Sequence, residues 1–250
     1  MPWARASSLD RAMECPATSW LTRADRGAWE PGYLVLDGWT APAEPPPADD
    51  SFLAQWGTNM HLAKEGSPLA SDPWVSWMEP HRETLWPAAL GRHEVPFGLC
   101  CITGRIELWR AEDGDPDRWK RSRGPSFITG TMDWWGRLPG GEPWVDDLKT
   151  GYYAPAVTCP QMLLYALVAA RSTGSQTCRV SITHWRRGAT EVTERKWQQV
   201  GPATLESFED ELRAAYRRAT GPNPGPRPGT HCRYCPSASV CPTVVGNAVD

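Results

Sequence analysis

The chain has 250 residues, with 26 basic and 29 acidic side chains for a formal net charge of −3, 22% charged and 40% hydrophobic residues, a balance usual for a globular protein in water. That charge excludes a globally basic nucleic-acid binder. The longest apolar run, Met162 to Ala170, is far short of the roughly 20 residues a membrane-spanning helix needs. The N-terminal MPWARASSLDRAMECP is charged throughout and has no apolar core, so it does not read as a signal peptide and the expected location is the cytoplasm.

In chain order, a helix is expected near Ser8 to Arg23, then a loop over APAEPPPADD (Ala41 to Asp50), where proline rules out both helix and central strand. Helices are expected over Ser51 to Glu65 and Trp74 to Leu90. From Arg92 the period changes from helical to alternating. His93, Val95, Phe97 and Leu99 alternate with Glu94, Pro96 and Gly98, a strand with one apolar face. Ile102 to Arg110 reads as its continuation or partner, and GDPDRWKRSRGP as a polar loop. Strands Phe127 to Trp135 and Trp144 to Lys149 flank the turn signal Pro-Gly-Gly. A helix over Ala156 to Arg171, strands Cys178 to Trp185 and Glu191 to Val200, and an amphipathic helix Pro202 to Thr220 with proline at its start follow. The tail from Gly221 is too rich in proline and glycine to organise itself through an apolar core. Basic runs at Arg118 to Arg123, Trp185 to Arg187 and Tyr216 to Arg218, with 15 tryptophans in all, offer charge and stacking surface for unpaired bases.

The chemistry concentrates around the hairpin centred on Gly140. Asp133 and Asp147 lie seven residues to either side of it, so a symmetric turn sets them opposite each other. Facing carboxylates at about 5 Å repel by roughly 3 kcal/mol at an effective dielectric near 20. A cation between them, or protonation of one, resolves the conflict. Hard oxygen ligands on rigid strands suit Mg2+ or Mn2+. Lys149 shares a strand face with Asp147 and is placed to orient a water or stabilise developing charge. Thr129, Thr131 and Asp133 are expected on one face of their strand, and Ile128, Met132 and Trp134 on the other.

TGTMDWW followed by VDDLKTG resembles the PD-(D/E)xK nuclease superfamily, and specifically its RecB-like branch. The resemblance implies a metal site of Asp133 and Asp147 with Lys149 as the catalytic lysine. GTNMH is similar to the helix motif of that branch, which adds His61 as a metal ligand and catalytic residue. QMLLY is similar to its Q-x-x-x-Y signature, implying substrate contacts for Gln161 and Tyr165, and Glu94 is similar to its additional acid, grouped with the substrate-binding residues. TGRIE also fits the Gly-x-x-acid motif through Glu107, but Glu107 stands 40 residues before Asp147, far from a tight hairpin.

Cys232, Cys235 and Cys241 form a C-x2-C-x5-C pattern in the tail, which in a cytoplasmic chain reads as metal ligands; Cys15 and Cys159 are the candidates for a fourth. Iron–sulfur members of the RecB-like branch, including CRISPR-associated exonucleases and AddB-type domains, have one cysteine near the N-terminus and three near the C-terminus. SSLDRAMECP resembles the N-terminal part of that pattern, which selects Cys15. The implied cofactor is a [4Fe–4S] cluster, with four-coordinate zinc as the chemical alternative. Cys100, Cys101, Cys159 and Cys178 are then expected as buried apolar residues.

The expected architecture is α/β: one domain over 1–250, with a central mixed β-sheet flanked by helices as a restriction-endonuclease-like core over 51–200, and an iron–sulfur lobe of 1–30 and 221–250 joining the termini. The expected function is a metal-dependent deoxyribonuclease, an exonuclease on single-stranded DNA or DNA ends, working with a protein partner in CRISPR spacer acquisition or in recombination and repair. A non-catalytic DNA-end-binding adaptor with a structural metal is the alternative.

Overall fold

The computed structural model describes residues 4–15, 52–68, 74–150, 153–186, 189, 192–221, 225–235 and 241. The expected proline-rich loop at 41–50 and the expected helix beyond residue 15 lie outside them.

Among the described residues seven strands form one sheet: β1 (Ala4–Arg5), β2 (Gly91–Cys100), β3 (Ile106–Leu108), β4 (Phe127–Arg137), β5 (Pro143–Lys149), β6 (Cys178–His184) and β7 (Glu194–Val200). Their order is β3-β2-β4-β5-β6-β7, with β1 pairing alongside β4. The sheet is mixed, since β1–β4 and β5–β6 are parallel and the other pairs antiparallel. Helix α1 covers Leu9–Glu14, α2 Phe52–Glu65, α3 Trp74–Leu85, α4 Pro116–Arg121, α5 Pro160–Thr173 and α6 Pro202–Thr220.

Proline sets several of these limits. Helix α3 accommodates Pro80 but stops at Leu85, short of the expected Leu90, because Pro87 biases Trp86 away from helical geometry. Helix α5 starts at Pro160 rather than Ala156, with proline in its first turn, where the missing N–H costs nothing. The expected polar loop 114–125 holds α4 instead: Asp115 caps it by accepting from Arg118 N at 2.6 Å, and Pro116 opens it. The β4–β5 turn closes through Leu138 N to Glu142 O at 2.9 Å and Gly141 N to Leu138 O at 2.8 Å. Gly141 there has φ 84, a conformation glycine adopts without steric cost.

Helices cover both faces of the sheet. The larger core joins Val95, Phe97, Leu99, Ile128, Met132, Val145 and Ile182 to the apolar side of α5 and to Leu205, Phe208 and Leu212 of α6. On the opposite face, Met60 and Ala63 of α2, Met78 of α3, Trp86, Trp134, Leu148 and Trp185 form a second core.

The two cores expose a break in the alternation. Met132 and Trp134 were expected on one face, yet Met132 packs in the α5 core and Trp134 in the α2 core. His93 and Val95 part likewise: Val95 belongs to the α5 core, while His93 meets Trp86 edge-on at 6.5 Å. The cause lies between them. Glu94 has φ 46, the one non-glycine with positive φ among the described residues. The β2–β4 ladder pairs His93 with Trp134 and Val95 with Met132, but skips Glu94 and Asp133. One left-handed residue turns the pleat over, so the strict period 2 fails at that step.

Candidate active site

The break places three carboxylates in a row. Glu94 and Asp133 occupy the skipped position on β2 and β4. On the other side, β4 and β5 pair as Trp134–Asp146, Trp135–Val145 and Gly136–Trp144, and the ladder ends one step before Asp133 and Asp147. Where a backbone bond would continue, the Asp133 side chain substitutes: its Oδ2 accepts from Leu148 N at 2.8 Å.

Helix α2 supplies the nitrogen donors. His61 Nδ1 lies 3.7 Å from Glu94 Oε1 and 3.6 Å from Asp133 Oδ2. These three residues offer ligand atoms all within 4.8 Å of one another, and an imidazole with two hard oxygens fits Mg2+ or Mn2+. Asp147 is outside that group; its buried Oδ2 is paired with Lys149 Nζ at 2.6 Å, and a carboxylate oxygen so paired keeps a second lone pair.

Charge decides the protonation states. Burial disfavours a charged His61, but the Asp133 charge and the Glu94 hydrogen bond outweigh it and raise the pKa. Burial likewise opposes ionisation of Asp133, and the Lys64, His61 and Lys149 charges with the Leu148 N–H overcome it, holding Asp133 below the usual range. For Asp147, burial wins against Lys149 and is reinforced by Asp133, raising the pKa to about 6. The two facing acids are therefore driven apart in acidity. Burial works against a charged Lys149, but Asp147 and Asp133 more than compensate and raise its pKa, so it is an ammonium at neutral pH.

Helix α5 locks the lysine in place. Lys149 Nζ donates to Gln161 Oε1 at 3.1 Å, Gln161 Nε2 donates to Asp147 Oδ1 at 3.3 Å and to Tyr165 OH at 2.8 Å, and Tyr165 OH donates to Thr131 O at 2.8 Å. Gln161 and Tyr165 stand one turn apart and so share a face. The structure thus gathers His61, Glu94, Asp133, Asp147, Lys149, Gln161 and Tyr165 into one site. Glu107 does not join them: it sits on β3, ion-paired with Arg105 at 2.6 Å and with Arg123.

Two neighbours escaped the sequence reading. Lys64 is fully buried and donates to Asp133 O at 2.7 Å and Glu94 Oε1 at 3.3 Å; its spacing of three from His61 was the available signal. Asp146, which had no expected role, faces away from Asp147 and is fully buried. It accepts from Trp86 Nε1 at 2.5 Å, Thr183 Oγ1 at 3.1 Å, Arg195 at 3.3 Å and from Ser181 Oγ. These donors tie β5 to β6, β7 and the end of α3 from behind the site.

Far from the carboxylates, Cys15 and the tail meet. Arg227 N donates to Cys15 Sγ at 3.4 Å and Gly229 N to Cys232 Sγ at 3.4 Å. Glu14 Oε2 and His231 Nδ1 lie 2.7 Å apart, and Arg218 reaches Met13 O at 3.4 Å. Cys232, Cys235 and Cys241 lie in or beside this tail, and none of the eight cysteines forms a disulfide. Cys100, Cys101 and Cys178 are buried, whereas Cys159 is only partly so, because it stands at the start of α5. Burial lifts the Cys101 thiol to about 12.

A mixed sheet flanked by helices, with acids of adjacent strands converging beside a strand-end lysine, defines an α/β fold with a His/Glu/Asp group that could hold a metal ion. The chain belongs to the PD-(D/E)XK nuclease superfamily, whose family model matches residues 6–242. A search of curated proteins found no match. Among solved structures, one described as the crystal structure of SSO0001 is similar at 12% identity and a TM-score of 0.38, covering 76% of this chain and 80% of that chain. Superfamily membership implies metal-dependent nuclease activity and a nucleic-acid substrate. Among the described residues, no helix is long and apolar enough to cross a membrane.

Proposed function

We propose that the protein is a divalent-metal-dependent deoxyribonuclease that hydrolyses DNA from ends, with single-stranded DNA as the preferred substrate. The observation that carries the reading is the Asp133, Asp147 and Lys149 set, with the lysine held against Asp147 at 2.6 Å and braced by Gln161. His61, Glu94 and Asp133 would hold Mg2+ or Mn2+, with Asp147 beside them, its Oδ2 paired with Lys149. The ion would supply Lewis acidity toward a phosphate oxygen and lower the pKa of an attacking water. Lys149, already protonated, orients that water and stabilises charge on the phosphoryl oxygens; it does not serve as the base. Gln161 fixes the directions of both Lys149 and Asp147, and Tyr165 fixes Gln161 through the Thr131 carbonyl.

Residues 51–200 would form the nuclease core of a single domain, and 1–30 with 221–250 a lobe around a [4Fe–4S] cluster held by Cys15, Cys232, Cys235 and Cys241. Support comes from the tail wrapping Cys15 and from the N–H groups aimed at two of the sulfurs, as expected around thiolate ligands. Work in the cytoplasm on DNA intermediates, in CRISPR spacer acquisition or recombination and repair beside a protein partner, follows from this reading.

The test is cleavage of end-labelled single- and double-stranded DNA with Mg2+, Mn2+ or chelator. Metal-dependent shortening from ends that disappears in Asp147→Asn and Lys149→Ala supports the assignment; activity surviving in both variants refutes it. Brown protein absorbing near 400 nm is expected, and colourless zinc-containing protein would replace the cluster assignment.

A further inference from the structure

Lys64 is a cation with no route to solvent, and it sits on the proposed metal ligands. Its Nζ stands 3.3 Å from Glu94 Oε1 and 3.9 Å from Asp133 Oδ2, the same two oxygens that His61 Nδ1 approaches at 3.7 and 3.6 Å. Its third partner is the Asp133 carbonyl at 2.7 Å, at the position the β2–β4 ladder skips. The Trp86 ring lies 5.7 Å from the ammonium. A buried ammonium persists only where charge and hydrogen bonds compensate its lost hydration, and here the compensation comes from the acids of the centre itself.

The charge balance then limits what else can enter. With His61 neutral, as a metal ligand must be, and the solvent-exposed Glu65 at the end of α2 screened by water, the charges of the centre are Glu94, Asp133 and Asp147 against the ammonium groups of Lys64 and Lys149, leaving one net negative charge. One divalent ion turns this into one positive charge; a second would make it three. Repulsion between like charges is strongest where water is excluded, and Lys64 is fully buried. Building on the metal-nuclease reading above, we infer that Lys64 is a built-in monovalent cation that restricts this centre to a single divalent ion, occupying electrostatically the role a second metal would take.

Mn2+ binding to the full-length protein, followed by electron paramagnetic resonance and calorimetry without DNA, tests this. The wild type takes up one equivalent, and Asp133→Ala loses it, which places that ion at the centre. Lys64→Met keeps the length of the side chain without its charge and gains a second equivalent, seen as spin-coupled broadening; Lys64→Arg stays at one. Two equivalents in the wild type, both lost in Asp133→Ala, overturn the inference and leave the nuclease reading standing. A single equivalent in a Lys64→Met protein with the wild-type circular dichroism also overturns it. No binding by the wild type sinks the metal-nuclease reading and the inference with it. Should Lys64→Met fail to fold, Lys64→Gln, which removes the charge but keeps a donor for the Asp133 carbonyl, is scored in its place by the same criterion.

Discussion

Replacing Asp146 with alanine removes the acceptor on which Trp86, Ser181, Thr183 and Arg195 converge. Ser181 retains a contact to Val145 O at 3.5 Å, and Arg195 retains Leu85 O at 3.0 Å and the Trp144 ring at 4.8 Å. Trp86 Nε1 and Thr183 Oγ1 lose their acceptor in a dry interior. Each buried donor left unpaired costs about 1–3 kcal/mol, and removing one partner of a buried ion pair costs about 3–5 kcal/mol. Burial, partly offset by Arg195 and the three neutral donors, raises the Asp146 pKa, so its carboxylate is held at some expense and the low end applies. The expected loss is about 3 kcal/mol, or a fall in Tm of about 6–12 °C for a chain of this size. Asp146→Asn keeps the volume and one acceptor and should lose about 1 kcal/mol. Urea unfolding followed by tryptophan fluorescence measures both. An alanine variant within 1 kcal/mol of wild type, or an asparagine variant as unstable as alanine, refutes the view that this network anchors β5.

Gln161→Ala should lower kcat by roughly 10- to 100-fold with little change in stability, because it releases Lys149 and Asp147 from one bracket; an unchanged kcat in steady-state cleavage assays counts against that bracing role. His93 is held down to about 4 by burial and then by Lys64, below its usual 6.5, so its neutral form stabilises the fold above pH 6.5 and that contribution fades as pH falls to 4. Discounted for its partial exposure, this should cost wild type about 1–2 kcal/mol more than His93→Leu across that window, and parallel stability curves in urea titrations would contradict it. Cys15→Ser should bleach the protein and speed proteolysis of the tail while leaving the core melting transition, and retention of the full 400 nm band would remove Cys15 from the ligand set. Gly91→Ala should cost about 1–3 kcal/mol, since a Cβ there would meet Trp135 O at 2.6 Å and Gly136 Cα at 2.8 Å; a neutral melt would show that β2 and β4 can spread.

Local rules carried much of this protein. Alternation and turn chemistry located β2, β4 and β5, and proline at the start marked Pro202–Thr220. The hairpin symmetry about Gly140 gave the spacing of Asp133 and Asp147, because register in a short hairpin is set by its turn. Spacing of four put Gln161 and Tyr165 on one helix face. The capped helix at Pro116 was present in the sequence as Asp-Pro, a signal outweighed by the polar loop around it.

What tertiary structure alone decided is where the alternation fails and who fills the gap. Nothing near Glu94 in sequence demands φ 46; that conformation is held by β4 on one side and by His61 and Lys64 of α2, some thirty residues earlier in the chain, on the other. The same holds for Asp146, whose donors come from Trp86, β6 and β7. Backbone propensities and periodicity act over a few neighbours, whereas a buried charge is satisfied by whatever the fold brings next to it, so the partners of Lys64 and Asp146 become visible only once the sheet is assembled.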